Sequence, residues 1–379
     1  MTSLNTTFRG GLIFDGNCLH EGWAARFEDG RLVELGAAAD VSSNEVVDLG
    51  SDILLPGYVD VQVNGGDGVM LNDAPTVDTL ARMAQAHRSL GCRMILPTLI
   101  TDTPEKTTAT IAAAVEAVKQ GVDGIGGLHL EGPHLSVARK GAHDAALIRP
   151  MTDHDLAELL QAAMDLPALL ITLAPENVTR EQVAALVSAG AVVSLGHTDA
   201  GFDTCMDYFS SGASCATHLF NAMSQLGNRE PGLVGAVLAS GKAAAGLIAD
   251  GIHVHPQTMR AAWDAKRGPG EIFLVSDAMA VAGTALDGFE LEGRRINRKE
   301  GRLTLSDGTL AGADLDLTTA IRILTTDVGV PLETALRAAT SGPAAAINRP
   351  DMGSLKLGDS LSSVIRLHAD LSDFLPFPS

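Results

Sequence analysis

The stretch IFLVSD, residues 272–277, is a short apolar run that ends abruptly in the carboxylate of Asp277. Three earlier runs end in the same way, at an acid or a histidine: GLHLE (127–131) at Glu131, AVVSLGH (191–197) at His197 and SCATH (214–218) at His218. Short apolar runs are typical of parallel strands buried on both faces, and barrel enzymes carry their chemistry at the C-terminal ends of such strands. The four runs predict a parallel barrel with these side chains at one end.

Strand and helix signals alternate through the middle of the chain, as an α/β fold of the (β/α)₈ TIM-barrel type requires. The candidate strands are 58–63, 93–99, 126–131, 168–174, 191–197, 214–218, 244–250 and 272–277. The pattern between strands predicts helices at 77–90, 104–119 and 180–188. A doubly wound open sheet is the competing topology, but no glycine-rich nucleotide fingerprint follows the first strand to favour it.

Both ends of the chain differ from the middle. Residues 1–54 and 353–379 contain short strand and turn signals, such as Asp29-Gly30, and neither piece is long enough to bury a core alone. We therefore expect the termini to form one small β-sandwich domain beside a catalytic barrel of residues 55–352. Residues 283–312 contain several Asp-Gly and Glu-Gly pairs and predict a hairpin insertion after the eighth strand.

Composition and charge exclude several classes of partner. The 379 residues are 46% hydrophobic and carry a net charge of −19 without a basic run. Binding to nucleic acid or to an anionic membrane needs clustered Lys and Arg, so neither is expected. The four cysteines form no paired motif, which indicates reduced thiols, and the polar N-terminus does not resemble a signal peptide. We expect a cytoplasmic protein without a transmembrane segment.

Glu131, His197 and His218 are candidate metal ligands. Two imidazoles and a carboxylate with an open fourth position describe a catalytic metal site, and Asp277 is the candidate general base and acid. Taken singly, each histidine is more often a packing residue, and the aspartate could equally be a helix N-cap. Their coincidence at strand ends favours the metal site.

Gln62 and Asn64 lie two positions apart on the first strand, so both side chains point to the same face. Many barrel hydrolases hold a second metal with a His-x-His pair at this place. Amides are poor ligands for transition metals, so the pair favours one tightly held divalent metal.

Further polar side chains on loops after the strands are candidate substrate contacts. His134 and His143 follow the third strand, where either could polarise a carbonyl or be an ordinary loop histidine. His253 follows the seventh strand and is expected to contact substrate. Arg229 is a rare cation after the sixth strand and could bind phosphate through its guanidinium group, or pair with Glu230.

Several long motifs run in order along nearly the whole chain. They are LPGYVDVQVNG (55–65), HLEGPH (129–134), KGAH (140–143), GHT (196–198), ATHLFNAM (216–223), REPGL (229–233), ADGIHV (249–254) and VSDA (275–278). Together they resemble the N-acetylglucosamine-6-phosphate deacetylases, a family of the amidohydrolase superfamily. The resemblance implies hydrolysis of N-acetyl-D-glucosamine 6-phosphate to D-glucosamine 6-phosphate and acetate, in amino-sugar catabolism or cell-wall recycling. Alternatives are a related substrate such as N-acetylgalactosamine 6-phosphate, another amide hydrolase, or a non-catalytic assembly protein.

The resemblance also implies roles for individual residues. One divalent metal, Zn²⁺ before Fe²⁺, Co²⁺ or Mn²⁺, would be bound by Glu131, His197 and His218. Asp277 would be the catalytic acid and base, and His143 would donate a hydrogen bond to the acetyl carbonyl.

The implied substrate is a phosphorylated amino sugar, and its binding residues lie on several loops. The expected contacts to sugar and phosphate are Ala142, Asn221, Ala222, His253, Leu310, Ala311 and Gly312. Arg229 would reach the phosphate bound in a neighbouring subunit, which implies a homodimer. His134 stands where an aromatic residue is commoner in the family, which leaves room for an extra weak metal contact.

Overall fold

The chain folds around a closed barrel of parallel strands. The computed structural model describes residues 5–43, 45–291 and 293–377. Within this part of the chain, eight parallel strands lie side by side in chain order. The strands are Tyr58–Val63, Cys92–Ile100, Leu128–Glu131, Leu169–Leu173, Val192–Leu195, Cys215–Ala216, Ala244–Leu247 and Ile272–Leu274. The predicted (β/α)₈ barrel is confirmed.

The first and eighth strands meet at a seam that a buried carboxylate holds together. Asp60, on the first strand, accepts hydrogen bonds from the backbone N–H groups of Gln62 and Ser276. Burial raises the pKa of the Asp60 carboxyl to about 7, and N–H donors compensate for the lost hydration. The seam therefore fixes the last strand against the first, immediately before the residues that carry the site.

Helices cover the outside of the barrel, and several begin with side-chain caps. Thr152 and Thr179 each form a reciprocal capping box with the residue three positions further on. The α-helices are Val77–Arg88, Pro104–Lys119, Asp153–Asp165, Arg180–Ser188, Phe202–Ser210, Gly232–Ala239, Pro256–Ala265, Leu317–Ile323, Leu332–Ala339 and Ser341–Ala346. Helices were predicted at 77–90, 104–119 and 180–188, and the structure differs only at the end of the first. Among the described residues, no helix is both long enough and apolar enough to cross a membrane.

Both termini contribute strands to a small β-sandwich, as predicted. One sheet contains Thr6–Arg9, Trp23–Glu28, Arg31–Ala37 and Glu45–Asp48. The other contains Leu12–Phe14, Leu19–Glu21, Ile53–Pro56, Val364–Leu367 and Phe374–Pro376. Phe8, Phe27, Leu54 and Val364 belong to one buried cluster that joins the two sheets. The division at residues 54 and 352 remains a prediction.

The segment predicted as a hairpin insertion is an antiparallel sheet of four strands within the described residues. The strands are Gly288–Leu291, Arg294–Lys299, Arg302–Thr304 and Leu310–Ala313. Phe289 and Ile296 are buried in one cluster with Ile100, at the end of the second barrel strand, and Met279, in the loop after the eighth. The insertion therefore packs on the mouth of the barrel and forms one wall of the cavity there.

Candidate active site

The candidate functional side chains lie just beyond the strands, at turns with an uncommon backbone conformation. His197, His218 and Asp277 have φ angles of 46°, 32° and 50°, in the left-handed region that non-glycine residues seldom adopt. Three strands consequently end earlier than the apolar runs predict, at Leu195, Ala216 and Leu274. Such backbone strain is concentrated at functional sites in proteins.

Three potential ligand atoms converge at the mouth of the barrel. Oε1 of Glu131 lies 3.1 Å from Nε2 of His197 and 3.0 Å from Nε2 of His218, and the two nitrogens are 3.0 Å apart. All three side chains are buried. Two imidazole nitrogens and one carboxylate oxygen form a donor set that suits Zn²⁺ and related divalent metals.

The surroundings of His197 and Glu131 also fit a metal site. Nδ1 of His197 donates a hydrogen bond to the carbonyl of Arg139 at 2.8 Å, which leaves Nε2 available as a ligand. Nδ1 of His218 is buried without a hydrogen-bond partner among the described residues. Burial disfavours the charge on Glu131, but the neighbouring His197 and His218 hold its pKa well below the usual range. An ionised carboxylate therefore faces the two imidazoles.

His143 is an alternative third ligand on distance alone. A nitrogen of its ring and ligand atoms of Glu131 and His197 all lie within 4.8 Å of one another. We favour His218, because its Nε2 is 3.0 Å from both partner atoms, a separation much closer to that of ligands sharing one metal.

The Asp277 carboxylate has one oxygen that is held by amides. Oδ1 accepts a hydrogen bond from Nδ2 of Asn64 at 2.7 Å and another from Nε2 of Gln62 at 3.2 Å. Oδ2 has no hydrogen-bond partner within the part of the chain that the structure describes. Burial and the charge of Glu131 raise the pKa of Asp277 to about 6. A carboxyl in this state can accept and return a proton near neutral pH.

Gln62 and Asn64 act as hydrogen-bond donors to the acidic side chains. Nε2 of Gln62 also lies 3.2 and 3.3 Å from the two oxygens of Glu131. The amide N–H groups thus restrain two neighbouring carboxylates that would otherwise repel each other. This arrangement agrees with the expectation of one metal, which remains a prediction.

His143 is held as a neutral hydrogen-bond donor. The backbone N–H of Thr101 donates to Nδ1 of His143 at 3.3 Å, and the Thr101 hydroxyl lies 2.8 Å from the same nitrogen. Because Nδ1 accepts a hydrogen bond from the backbone N–H, the hydrogen of the neutral ring is on Nε2. Burial and then the nearby His197 lower the pKa of His143 to about 3. The ring therefore offers an N–H group rather than a positive charge.

A cavity of about 200 Å³ connects these groups with most of the expected substrate contacts. Its lining includes Glu131, His197, His218, Asp277, His143, Ala142, Asn221, Ala222, His253, Leu310 and Gly312. The side chain of Ala311 points elsewhere and is buried in the apolar cluster of the insertion. Arg229 is exposed and does not line the cavity of its own chain, and Glu230 accepts hydrogen bonds from the backbone of Phe202 and Gly232.

His134 lies outside the cavity, and two residues near the cavity, Thr101 and Asp250, were not predicted from the sequence. Nδ1 of His134 is 3.0 Å from the carbonyl of Arg149, and its side chain is absent from the cavity lining in the described chain. The missed residues are Thr101, which holds His143, and Asp250, which accepts a hydrogen bond from His253. The Asp-Gly turn at residue 250 carried a signal for the second. Thr101 carried none beyond its place after a strand.

Fold and site together are typical of metal-dependent hydrolases built on this barrel, which place their active sites at the C-terminal ends of the strands. Residues 53–365 match the model of the amidohydrolase family, and the chain belongs to that family.

The sequence is similar to those of several named proteins over most of its length. An N-acetylgalactosamine-6-phosphate deacetylase from Shewanella sp. (strain ANA-3) is 45% identical over 310 residues, which cover 82% of this chain and 78% of the relative. An N-acetylglucosamine-6-phosphate deacetylase from Haemophilus influenzae is 36% identical over 318 residues, which cover 83% of this chain and 82% of the relative. The crystal structure of an N-acetylglucosamine-6-phosphate deacetylase from Pasteurella multocida superposes with a TM-score of 0.90 at 33% identity, over 97% of this chain and 96% of that chain. The resemblance inferred from the motifs is confirmed.

Proposed function

We propose that this protein removes the acetyl group from N-acetyl-D-glucosamine 6-phosphate and releases D-glucosamine 6-phosphate and acetate. The observation that carries the proposal is the convergence of Glu131, His197 and His218 within 3.1 Å of one another, in the same cavity as Asp277. The names of the relatives support the substrate class, since they act on N-acetylated amino sugar phosphates.

The three converging residues would hold one divalent metal, for which Zn²⁺ is the first candidate because of the two imidazole ligands. Such a metal, when bound, makes water a better nucleophile at neutral pH and polarises the amide carbonyl. Asp277 accepts the proton of the attacking water and later delivers it to the departing amine nitrogen. His143 donates a hydrogen bond from Nε2–H to the carbonyl oxygen as negative charge develops there.

The loops around the cavity would bind the rest of the substrate. Asn221, Ala222 and His253 lie together in the lining and are proposed to contact the sugar and the phosphate. Arg229 is exposed on a loop of its own chain, and we propose that it reaches the phosphate bound by a second subunit in a homodimer. Free cysteines at all four positions support the proposal of a cytoplasmic enzyme.

A second candidate substrate is N-acetylgalactosamine 6-phosphate. The relative from Shewanella, which carries that name, is 45% identical to this chain, whereas the relative from Haemophilus is 36% identical. The two substrates differ in the configuration of one hydroxyl group, so the metal, Asp277 and His143 would serve either one. Which epimer is preferred depends on contacts to that hydroxyl.

The test is acetate release from four sugars by the metal-loaded protein: both N-acetylated epimers, each with and without the 6-phosphate. We expect chelator-sensitive turnover that favours the phosphorylated sugars, and the ratio of kcat/KM between the two epimers assigns the substrate. Equal turnover of phosphorylated and unphosphorylated sugars would contradict the phosphate contacts. A lack of turnover on all four sugars would favour another amide substrate or a non-catalytic role.

A further inference from the structure

Asp250 forms a compact set of contacts with His253 after the seventh strand of the barrel. Oδ1 of Asp250 accepts hydrogen bonds from the backbone N–H groups of Ile252 and His253, each at 2.8 Å. Oδ2 lies 2.6 Å from Nδ1 of His253. The side chains of Asp250 and His253 are only 5% and 9% exposed. One carboxylate therefore fixes both the backbone and the ring of His253.

This contact determines which atom of His253 faces the cavity. Because Nδ1 carries the hydrogen shared with Asp250, the outward nitrogen is Nε2, for which the structure shows no hydrogen-bond partner among the described residues. A histidine ring can carry hydrogen on both nitrogens, so Nε2 can donate to an anion while Nδ1 donates to Asp250. Burial disfavours the charge on Asp250, yet the hydrogen bond to His253 keeps the pKa of the acid below its usual value.

The cavity contains few other sources of positive charge. No Lys or Arg lines it within the described residues. His197 and His218 point at the proposed metal position. His143 accepts a hydrogen bond from a backbone N–H at Nδ1, so that nitrogen carries no hydrogen and the ring is neutral. Among the lining residues of one chain, His253 is the histidine that can donate a hydrogen bond to an anionic group away from the metal.

We propose that Asp250 is a positioning residue that holds the ring of His253 with Nε2 directed at the substrate phosphate, and that this pair sets the preference for 6-phosphorylated amino sugars. The proposal rests on the proposed function for the identity of the anion. Asp250 acts through His253 and does not itself contact the substrate.

The primary experiment is calorimetric binding of glucosamine 6-phosphate and of glucosamine to the metal-loaded protein. The variants are Asp250→Asn, His253→Asn and the double variant. Asparagine at position 250 can retain the turn, but it replaces the carboxylate acceptor at Nδ1 of His253 by a neutral amide. Asp370→Asn is the matched control, since Asp370 accepts the backbone N–H of Ser372 in an exposed turn far along the chain.

We expect Asp250→Asn to raise the Kd for glucosamine 6-phosphate by about tenfold to a hundredfold, because a charge-assisted bond becomes a neutral one. The Kd for glucosamine divided by the Kd for glucosamine 6-phosphate, which measures the preference for the phosphate, should therefore fall. His253→Asn should have at least the same effect, and the double variant should be no worse than His253→Asn alone. Kinetics should show the loss of Asp250 mainly in KM for the phosphorylated substrate, with a smaller change in kcat.

Three results would overturn the proposal. The first is an unchanged Kd ratio in Asp250→Asn, and the second is a wild-type protein that binds glucosamine 6-phosphate no more tightly than glucosamine. The third is a double variant in which the losses of affinity for glucosamine 6-phosphate add up. A fall in thermal stability with an unchanged ratio would show that Asp250 is merely structural. Acetate release is measured separately, so failure of the proposed function appears as absent turnover, whereas failure of this inference appears in the binding ratio.

Discussion

Replacing Asp277 by Asn should have opposite effects on turnover and on the stability of the metal-free protein. The substitution keeps the shape of the side chain. Its remaining oxygen can still accept the hydrogen bonds that Asn64 and Gln62 donate to Oδ1. What is lost is the ionisable carboxyl, and with it the group proposed to move protons.

The expected loss of activity follows from the role of a general base. Such a group typically contributes a factor of about 10²–10⁴, so kcat should fall by at least that range when one residue serves both proton transfers. Metal binding should be retained, because Asp277 is not among the three proposed ligands.

The expected gain in stability follows from the pKa. Burial and then the charge of Glu131 raise the pKa of Asp277 from an ordinary 3.8 to about 6 in the folded protein. Between these values the folded protein binds the proton more tightly than the unfolded chain, so the folded state loses stability as the pH rises through this window. A difference of about two in pKa corresponds to about 3 kcal/mol for a fully buried group above pH ~7.

The assay compares urea unfolding midpoints of chelator-treated wild-type protein and Asp277→Asn at about pH 8 and about pH 4. The variant should be more stable at the higher pH, and this gain should largely vanish at the lower pH. Asp264→Asn, which changes an exposed acid paired with Arg260, is the control for the loss of one charge.

Two results would contradict these roles of Asp277. Turnover within about tenfold of wild type would remove Asp277 from the proton transfers. A metal-free variant that is less stable than wild type at both pH values would show that the carboxylate is a structural group whose charge is compensated in the folded state.

Four further predictions concern other parts of the site. His143→Asn should lower kcat by about 10²–10³-fold with the metal retained, because a donor to the developing oxyanion is lost; steady-state kinetics and metal analysis check this. Thr101→Val should cause a smaller loss of the same kind, since it removes the hydroxyl contact to His143 but keeps the backbone N–H, and an unaltered kcat would contradict it. Glu131→Gln should reduce the metal content measured by mass spectrometry, because a charged ligand becomes a neutral amide. Mixing Arg229→Ala subunits with inactive Asp277→Asn subunits should restore activity if Arg229 completes a neighbouring site, and no recovery would argue against a shared site.

The sequence predicts the barrel well because the physical signal is strong at each strand. Both faces of a parallel strand are buried, so each strand is a short apolar run, and the reactive residue follows it directly. The small β-sandwich was also predictable, since neither terminus could bury a core alone. The strand ends were less accurate: the apolar runs continue to His197 and Asp277, whereas the backbone leaves the sheet before them.

The partners of the reactive residues could not be predicted from local patterns. Thr101 holds His143 from 42 positions away, and Gln62 joins Glu131 with Asp277 across the barrel. These contacts depend on which strands become neighbours when the barrel closes. Ala311 shows the same limit on a smaller scale, because alternation along its strand turns the side chain from the cavity that Leu310 and Gly312 line.

We propose that a single metal, held by Glu131, His197 and His218, supports deacetylation of a phosphorylated amino sugar. The most direct test titrates Zn²⁺ into the chelator-treated protein and measures acetate release from N-acetyl-D-glucosamine 6-phosphate and its galactosamine epimer at each addition. We expect activity that rises linearly and reaches its plateau at one metal ion per chain. A plateau at two ions per chain, or acetate release that needs no added metal in the fully metal-free protein, would contradict the proposal.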